Sequence, residues 1–298
     1  MARARGLLES AFPEARWAQA SLGLGPGTRP RGIGVLDVLV LPEMCFSGYC
    51  FGSRDEVAAL AEDADTGGAT QRWMAEVAAV LGCLVIAGLP MEGWGELRRG
   101  SVREEGGGGG AGGGGRGAGG GRGALVNAQL VVGPDGRVER KYAKHFLYTI
   151  DKSWAEAGRE GFVGGLSSPW LPAGVTYGLG ICMDINPCEF EAPFDEFELA
   201  NAQKEHGTHL LLFSSAWTHS PRDTLVMDDP RVTASYWAER LEPLVGTGTV
   251  FVCANRVGVE GDVEFVGSSC VLQFSHSPRC VGLMGTRNEG VLVCECEV

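Results

Sequence analysis

The chain has 298 residues, of which 44% are hydrophobic, and this length can form one large domain with a substantial core. Its net charge of −12 argues against nucleic acid or an anionic membrane as the main partner. No apolar run in the sequence is long enough to cross a membrane.

The N-terminal segment, residues 1–31, is atypical because it contains no pattern of a buried strand. Leu7, Leu8, Ala11 and Phe12 are spaced as one face of a short helix. The segment also lacks the continuous apolar stretch of a secretory signal, so we expect a cytoplasmic protein. Its arginines leave an organelle transit peptide open, and its glutamates count against one.

Beyond this segment, apolar runs typical of buried strands alternate with patterns of helical period, which favours a layered α/β fold. Ser53 and Glu56 form a capping-box pattern, and Gly82 is placed to end a helix. The predicted helices are Ala69–Leu81, Phe194–His206 and Val232–Leu244. The predicted strands are Leu36–Leu41, Cys83–Leu89, Leu125–Val132, Arg137–Tyr142, Val175–Cys182, His209–Phe213, Thr249–Ala254, Ser269–Phe274 and Val291–Glu297.

Residues 106–123 are of low complexity, since 14 of these 18 residues are glycine. Such a stretch buries too little apolar surface to offset its loss of conformational entropy on ordering. A phosphate-binding glycine loop is the alternative, but the strand and helix that flank such loops are missing from the pattern. We therefore predict a single domain over residues 32–298, with a disordered glycine-rich insertion at 106–123.

Three of the predicted strands lead into residues of chemical interest: Glu43, Lys144 and Cys182. Ligands of α/β proteins gather at the carboxyl ends of strands. A thiol becomes a good nucleophile when a base takes its proton, and an ammonium can stabilise the oxyanion formed from an amide. Each residue also has an ordinary interpretation, as a turn carboxylate, a solvated lysine or a buried thiol. Sequence spacing alone does not show that the three meet.

Four segments, in chain order, resemble the motifs of the nitrilase superfamily of carbon–nitrogen hydrolases. They are LPEMCFSGYCF around Glu43, KYAKHFLY around Lys144, GICMDINPCEFEAPF around Cys182, and the late pair NRVGVE and FVGSSC. The stretch from CMDINP to FEAPF is similar to one branch, the fungal- and algal-type protein N-terminal asparagine amidohydrolases. The pattern FLYTxDxxW, which ends at Trp154, is similar to that branch as well.

The resemblance implies an α-β-β-α sandwich and an amidase that needs no metal or organic cofactor. The ten cysteines agree, because they include no CxxC pair and we expect free thiols. Many members use a second glutamate after the lysine, for which Glu156 is the candidate and Glu160 the alternate. The implied roles are Glu43 as base, Cys182 as nucleophile, and Lys144 with the backbone N–H of Met183 as oxyanion donors.

The branch converts N-terminal Asn, and in some members Gln, to Asp or Glu and ammonia, which can feed degradation set by the N-terminal residue. The implied partners are protein or peptide N-termini bearing Asn or Gln, without nucleic acid or membrane, and a homodimer is left open. We expect an acidic residue to recognise the substrate α-ammonium, with Glu191 as the candidate. Asp184 is a second candidate for substrate binding, although its place in the wider motif favours a structural role, bonded from the turn at Asn186. Trp217 lines either the substrate pocket or the core.

Two features depart from the family pattern. Residues 1–31 lack the usual first buried strand, whose loss would expose a sheet edge, and Ala143 stands where an arginine is usual. Two other functions therefore stay open: a small-molecule amidase or carbamoylase of the same superfamily, and a catalytically silent, truncated homologue. Ammonia release from Asn-initiated peptides, compared with free asparagine, would separate them.

Overall fold

The computed structural model describes residues 1–13, 36–93, 123–218 and 228–298. Within these ranges the chain forms helices and strands joined by turns and short 3-10 helices. The α-helices are α1 (Ala2–Ala11), α2 (Arg54–Ala58), α3 (Ala69–Leu81), α4 (Glu198–Glu205) and α5 (Pro230–Arg240). The strands are β1 (Val38–Val40), β2 (Glu62–Asp63), β3 (Leu84–Glu92), β4 (Leu125–Val132), β5 (Val138–Ala143), β6 (Leu166–Ser167), β7 (Thr176–Ile181), β8 (Leu210–Ser215), β9 (Val250–Asn255), β10 (Val257–Glu260), β11 (Val263–Val266), β12 (Cys270–Gln273) and β13 (Arg279–Leu283).

Two sheets form the centre of the molecule. Sheet A has the strand order β1-β3-β4-β5, with β2 also paired to β3. Sheet B has the order β13-β12-β9-β8-β7-β6, and β10 and β11 form a separate antiparallel hairpin. The strands β7, β8 and β9 run parallel, as β1 and β3 do, so their carboxyl ends lie together at one edge of each sheet.

The order of the layers follows from side-chain alternation along the strands. On β3, Val85 packs in the cluster that includes α3, whereas Ile86 packs with residues of sheet B. On β8, Phe213 packs with α4 and α5, whereas Leu212 packs with residues of sheet A. The layers are therefore helix, sheet, sheet and helix, which confirms the predicted α-β-β-α sandwich.

Local sequence signals explain the ends of two helices. The predicted helix Ala69–Leu81 forms with the same ends, and Gly82 closes it in the left-handed region at φ +68°. At the start of α2, the Glu56 N–H donates to Ser53 Oγ, as the capping box predicts. The Glu56 carboxylate accepts from the Gly52 N–H.

Two predicted elements are wrong in part. The helix predicted over Phe194–His206 begins only at Glu198, because Phe194–Glu196 form a 3-10 turn and Phe197 is left-handed at φ +46°. The strand predicted over Val291–Glu297 does not pair in a sheet. Val291 packs against the core cluster on the α3 side of sheet A, and the rest of the segment is half-buried or exposed. Strand β13 takes the place beside β12. Apolar alternation here reflects packing and not strand pairing.

The N-terminal region begins with helix α1, and its described part, residues 1–13, contains no strand. Leu8 of α1 is buried in the cluster that holds Leu41 and Trp73. Within the described ranges, β1 pairs with β3 alone, so it is an edge strand, as the missing first strand leads one to expect. A cavity of about 410 Å³ lies beside this edge, lined by residues of α1, β1, β9 and β12.

Two sequence predictions fall largely outside the described residues. The glycine-rich insertion lies there except for Gly123, and so does the N-terminal segment beyond residue 13. In the part of the chain that the structure describes, no helix has the length and apolar character needed to span a membrane.

Candidate active site

The three strand-end residues singled out in the sequence lie together. Glu43 follows β1, Lys144 follows β5 and Cys182 follows β7, and all three are buried. Lys144 Nζ donates to Glu43 Oε1 at 2.7 Å. The charges of Glu43 and Lys144 both act on the Cys182 thiol. The structure therefore brings together the residues that the motifs imply.

The turn that carries Glu43 is fixed by contacts from both sheets. The Glu43 N–H donates to the carbonyl of Ser215 at the end of β8, at 3.3 Å. The Arg256 guanidinium donates to the carbonyl of Met44. A Cβ at Gly88 on β3 would lie 2.5 Å from the Glu43 Cα, so this close approach requires glycine.

A second carboxylate, that of Asp151, completes the surroundings of the lysine. Lys144 Nζ lies 2.5 Å from Asp151 Oδ2, and neither side chain is exposed. The Tyr148 N–H donates to the same oxygen at 3.0 Å. Lys144 thus lies between two carboxylates, Glu43 and Asp151, in a site without solvent contact.

The structure corrects the prediction of a second glutamate. The side chain of Glu156 is 56% exposed and faces Arg159 at 3.9 Å, while Glu160 pairs with Arg140. Neither reaches Lys144, because the chain turns into a 3-10 helix at Asp151 soon after the lysine. Asp151 is the aspartate of the FLYTxDxxW pattern, so the sequence did contain a signal for the second carboxylate. The family pattern led us to look for a glutamate instead.

Asn127 links the two carboxylates and was missed in the sequence. Its Nδ2 donates to Glu43 Oε1 at 2.7 Å and to Asp151 Oδ1 at 3.1 Å. The backbone carbonyl of Asn127 accepts from the backbone N–H of Lys144 at 2.8 Å, since β4 pairs with β5. A polar residue inside the apolar strand β4 was the only signal, because such residues are usually paired when buried.

Burial and the neighbouring charges set the protonation of the site. Burial opposes charge on Lys144, but Asp151 and Glu43 outweigh it and raise the pKa of the ammonium. Burial also raises the pKa of Glu43, against the effect of Lys144. Burial and then the charge of Glu43 raise the pKa of the Cys182 thiol, which Lys144 lowers only in part. At rest, a thiol therefore lies beside a carboxylate that can accept its proton.

The nucleophile candidate lies in a sharp turn. Cys182 has a left-handed φ of +40° and opens the 3-10 helix Cys182–Ile185 directly after β7. The N–H groups in the first turn of a helix have no partner inside that helix. The Met183 N–H is in this position and can serve as a hydrogen-bond donor beside the Cys182 side chain.

Asp184 anchors this turn to the loop that follows Lys144. Its carboxylate is fully buried and accepts four hydrogen bonds. These donors are the Tyr142 hydroxyl, the Ile181 N–H and the Phe146 N–H, each at 2.8 Å, and the His145 N–H at 3.1 Å. These contacts tie the turn after β7 to the loop after Lys144. The expected partner is wrong, because the Asn186 side chain instead contacts Met183 Sδ and the Tyr236 hydroxyl.

The two remaining candidates lie farther out. Trp217 is half-buried and packs against Tyr236 and Trp237 with ring centroids 5.6 Å apart in each case. Glu191 lies on an exposed turn that follows the 3-10 helix Cys188–Phe190. Trp217 therefore belongs to the boundary between core and surface, and Glu191 belongs to the surface.

No arrangement of three or more His, Cys, Asp or Glu side chains suited to a metal ion exists within the described ranges. All ten cysteines are free thiols. The buried cluster itself offers a thiol, two carboxylates, an ammonium and nearby backbone N–H groups.

Comparisons with known proteins agree with this geometry, although no protein-family model matches the chain. Protein N-terminal amidase of Schizosaccharomyces pombe is 30% identical over 283 residues, 87% of this chain and 87% of its own length. That of Saccharomyces cerevisiae is 24% identical over 62% of this chain and 37% of its own length. Crystal structures of an N-terminal amidase with an Asn-Glu peptide and with a Gln-Val peptide each give a TM-score of 0.69 at 17% identity. Each of these matches covers 97% of this chain and 91% of the other. The chain therefore belongs to the protein N-terminal amidase family.

Proposed function

We propose that this protein hydrolyses the side-chain amide of N-terminal Asn, and of N-terminal Gln, in proteins and peptides. The products are N-terminal Asp or Glu and ammonia, and the products feed degradation set by the N-terminal residue. The observation that carries the proposal is the buried contact of Lys144 with Glu43 and Asp151 beside the Cys182 thiol. Family membership supplies the substrate class.

The first half of the reaction forms a thioester. Glu43 takes the proton of Cys182, and the thiolate attacks the side-chain amide carbon. Lys144 Nζ and the Met183 N–H stabilise the oxyanion of the tetrahedral intermediate. Glu43 then returns the proton to the leaving nitrogen, ammonia departs, and the acyl group remains on Cys182. The raised pKa of Glu43 suits both transfers, since a carboxylic acid with a pKa closer to neutrality accepts and donates a proton more evenly.

The second half releases the acid. Glu43, now ionised again, takes a proton from water, and the hydroxide attacks the thioester carbon. Collapse of this second intermediate breaks the carbon–sulfur bond, and the proton on Glu43 returns to the Cys182 sulfur. Asp151 remains paired with Lys144 throughout, so the ammonium keeps its charge and its direction.

Recognition of the free α-ammonium is the feature that would separate an N-terminal amidase from a general amidase. A terminal residue differs from an internal one chiefly by this positive charge, and a carboxylate at the site entrance would favour it. Glu191 remains our candidate for this carboxylate. Its position on an exposed turn close in sequence to Cys182 agrees with a role at the entrance.

The test compares ammonia release from four substrates: an Asn-initiated peptide, its Gln-initiated form, the N-acetylated Asn peptide and free asparagine. We expect turnover of the first two and a loss of at least tenfold in kcat/KM on acetylation, because acetylation removes the positive charge and a tenfold loss corresponds to about 1.4 kcal/mol. Equal kcat/KM for the free and acetylated peptides would overturn the N-terminal assignment. Discrimination that persists in Glu191→Gln would remove Glu191 alone.

A further inference from the structure

Tyr49 is a buried tyrosine whose hydroxyl forms no hydrogen bond with the described residues. The side chain is 2% exposed, and among the described residues its hydroxyl has no hydrogen-bond partner. Buried polar groups are nearly always paired, because an unpaired one has lost its water without replacement. A hydroxyl kept in this condition needs a reason outside the fold itself.

The position of the hydroxyl is fixed by contacts elsewhere on the residue. The Tyr49 N–H donates to Glu260 Oε2 at 2.7 Å, and the next N–H, of Cys50, donates to the same oxygen at 3.0 Å. Glu260 is itself paired with Arg256. The Tyr49 ring meets Phe265 edge to face at 6.0 Å. The ring is thus held rigidly, and the hydroxyl has little freedom to turn toward another partner.

The Tyr49 side chain lies beside the catalytic cluster, because it packs with Met44, the residue after Glu43, and with Tyr148, whose N–H donates to Asp151. Burial raises the pKa of Tyr49 well above its usual value, and the charges of Asp151, Glu43 and Cys182 raise it further. The phenol therefore stays protonated at neutral pH, which excludes a role as base. Two other polar atoms of the same cluster, Glu43 Oε2 and Asn127 Oδ1, also lack a partner within the described residues. Unused hydrogen-bonding groups thus collect around the place where the thiol must attack.

We propose that the Tyr49 hydroxyl hydrogen-bonds the substrate carboxamide in front of Cys182 and so positions its carbon for attack. A carboxamide offers both an acceptor oxygen and donor N–H groups, as a protonated phenol can donate and accept. Entry of the substrate would satisfy a hydroxyl that the free protein leaves unpaired. This inference rests on the proposed function, because it assigns a residue to that reaction.

A second buried tyrosine provides the contrast for a test. The Tyr142 side chain is fully buried, and its hydroxyl donates to Asp184 Oδ2 at 2.8 Å. Removing the hydroxyl of Tyr142 eliminates its hydrogen bond to Asp184 and should destabilise the protein. Removing that of Tyr49 takes away an unpaired polar group. The two isosteric changes should therefore move stability in opposite directions.

The experiment measures the melting temperature, kcat and KM of Tyr49→Phe and Tyr142→Phe, with ammonia release as the assay. We expect Tyr49→Phe to melt at or above the parent temperature and to lose about 10- to 100-fold in kcat/KM, mostly in kcat. Tyr142→Phe should melt below the parent. The rate at which methyl methanethiosulfonate, which carries no amide, modifies Cys182 should be unchanged by Tyr49→Phe.

Three outcomes would overturn the assignment of Tyr49: activity within twofold of the parent, a melting temperature lowered as in Tyr142→Phe, or slower modification of Cys182. Activity of the parent protein is measured first, on the Asn-initiated peptide and on free carboxamides. Failure of the parent on the peptide counts against the proposed function. The ratio of Tyr49→Phe to parent, on whichever carboxamide the parent hydrolyses, still decides the role of Tyr49.

Discussion

Strand β1 borders two regions that differ in the number of contacts that fix them: the turn at its carboxyl end and its unpaired edge. At its carboxyl end, Glu43 is fixed by the carbonyl of Ser215, by the close approach of Gly88 and by the Lys144 ammonium. Along its open edge, β1 has no paired strand within the described ranges, and a cavity of about 410 Å³ lies beside it. The contacts that place Glu43 therefore come from other strands, and the site does not depend on a strand beside β1.

This difference bears on whether the protein is catalytically silent. An atypical N-terminus would silence the site only if the position of Glu43 depended on the open edge. The contacts of Glu43 run instead to β3, β4 and β8, and to Lys144 directly after β5. Changes at the cluster should therefore abolish activity with little loss of structure. Changes beside the open edge should lower stability and leave the chemistry intact.

The largest expected effect is that of Cys182→Ala. Ammonia release should fall below a hundredth of the parent rate, because the nucleophile is lost and Glu43 and Lys144 act only together with it. The far-ultraviolet circular dichroism spectrum and the cooperative melt should persist. Cys83→Ala is the matched control, since Cys83 is equally buried but packs in the cluster on the α3 side of sheet A. It should retain activity, and a folded, active Cys182→Ala would refute the nucleophile.

The sequence predicted this cluster only in part, and the reasons are physical. Glu43, Lys144 and Cys182 stand at strand ends inside motifs that resemble a known family, and this resemblance, which spacing alone could not replace, grouped them. Asn127 was missed because its role exists only across β4 and β5, between atoms supplied by distant segments. The error at Glu156 has the same origin, since the direction of a turn decides which carboxylate reaches the lysine.

The fold shows the same division between local and distant information. The helix Ala69–Leu81 was predicted to the residue because its cap and its apolar period are both local. The segment after Gly290 has the alternation of a strand, yet β13 and not this segment lies beside β12. Edge positions in a sheet are decided by competition among segments, which a single segment does not reveal.

The next largest effect is that of Asp151→Asn. Lys144 would keep only Glu43 as a charged partner, and we expect kcat/KM to fall about 100-fold as the oxyanion donor loses its direction. Glu156→Gln is the control, because Glu156 is exposed. It should leave kcat/KM close to that of the parent and change the free energy of unfolding by less than about 0.5 kcal/mol. If Glu156→Gln proved the more damaging of the two, the second carboxylate would have been assigned wrongly.

A smaller, graded effect is expected from pH. Glu43 acts only when ionised, and burial raises its pKa above the usual value for glutamate of about 4.3. The acid limb of kcat/KM should therefore lie above that of an ordinary glutamate, with activity lost as pH falls through the raised pKa. On the alkaline side, kcat/KM should fall as the substrate α-ammonium deprotonates near pH 7.7–8.0, about the value for a free α-amino group. A profile measured at constant ionic strength would contradict this assignment if its acid limb lay at or below the ordinary value.

The smallest effect on activity is expected beside the open edge. Leu8 of α1 is 4% exposed and packs in the cluster with Leu41, so Leu8→Ala should destabilise the fold by about 2–5 kcal/mol. Leu7→Ala, at a half-exposed position on the same helix, should cost less. Both variants should keep kcat/KM within twofold of the parent at a temperature where they remain folded, because no contact of Glu43 runs through α1. Stability is measured by urea unfolding and activity by ammonia release on the same samples. A loss of kcat in Leu8→Ala without unfolding would mean that the two regions are coupled, and that the open edge does govern the position of Glu43.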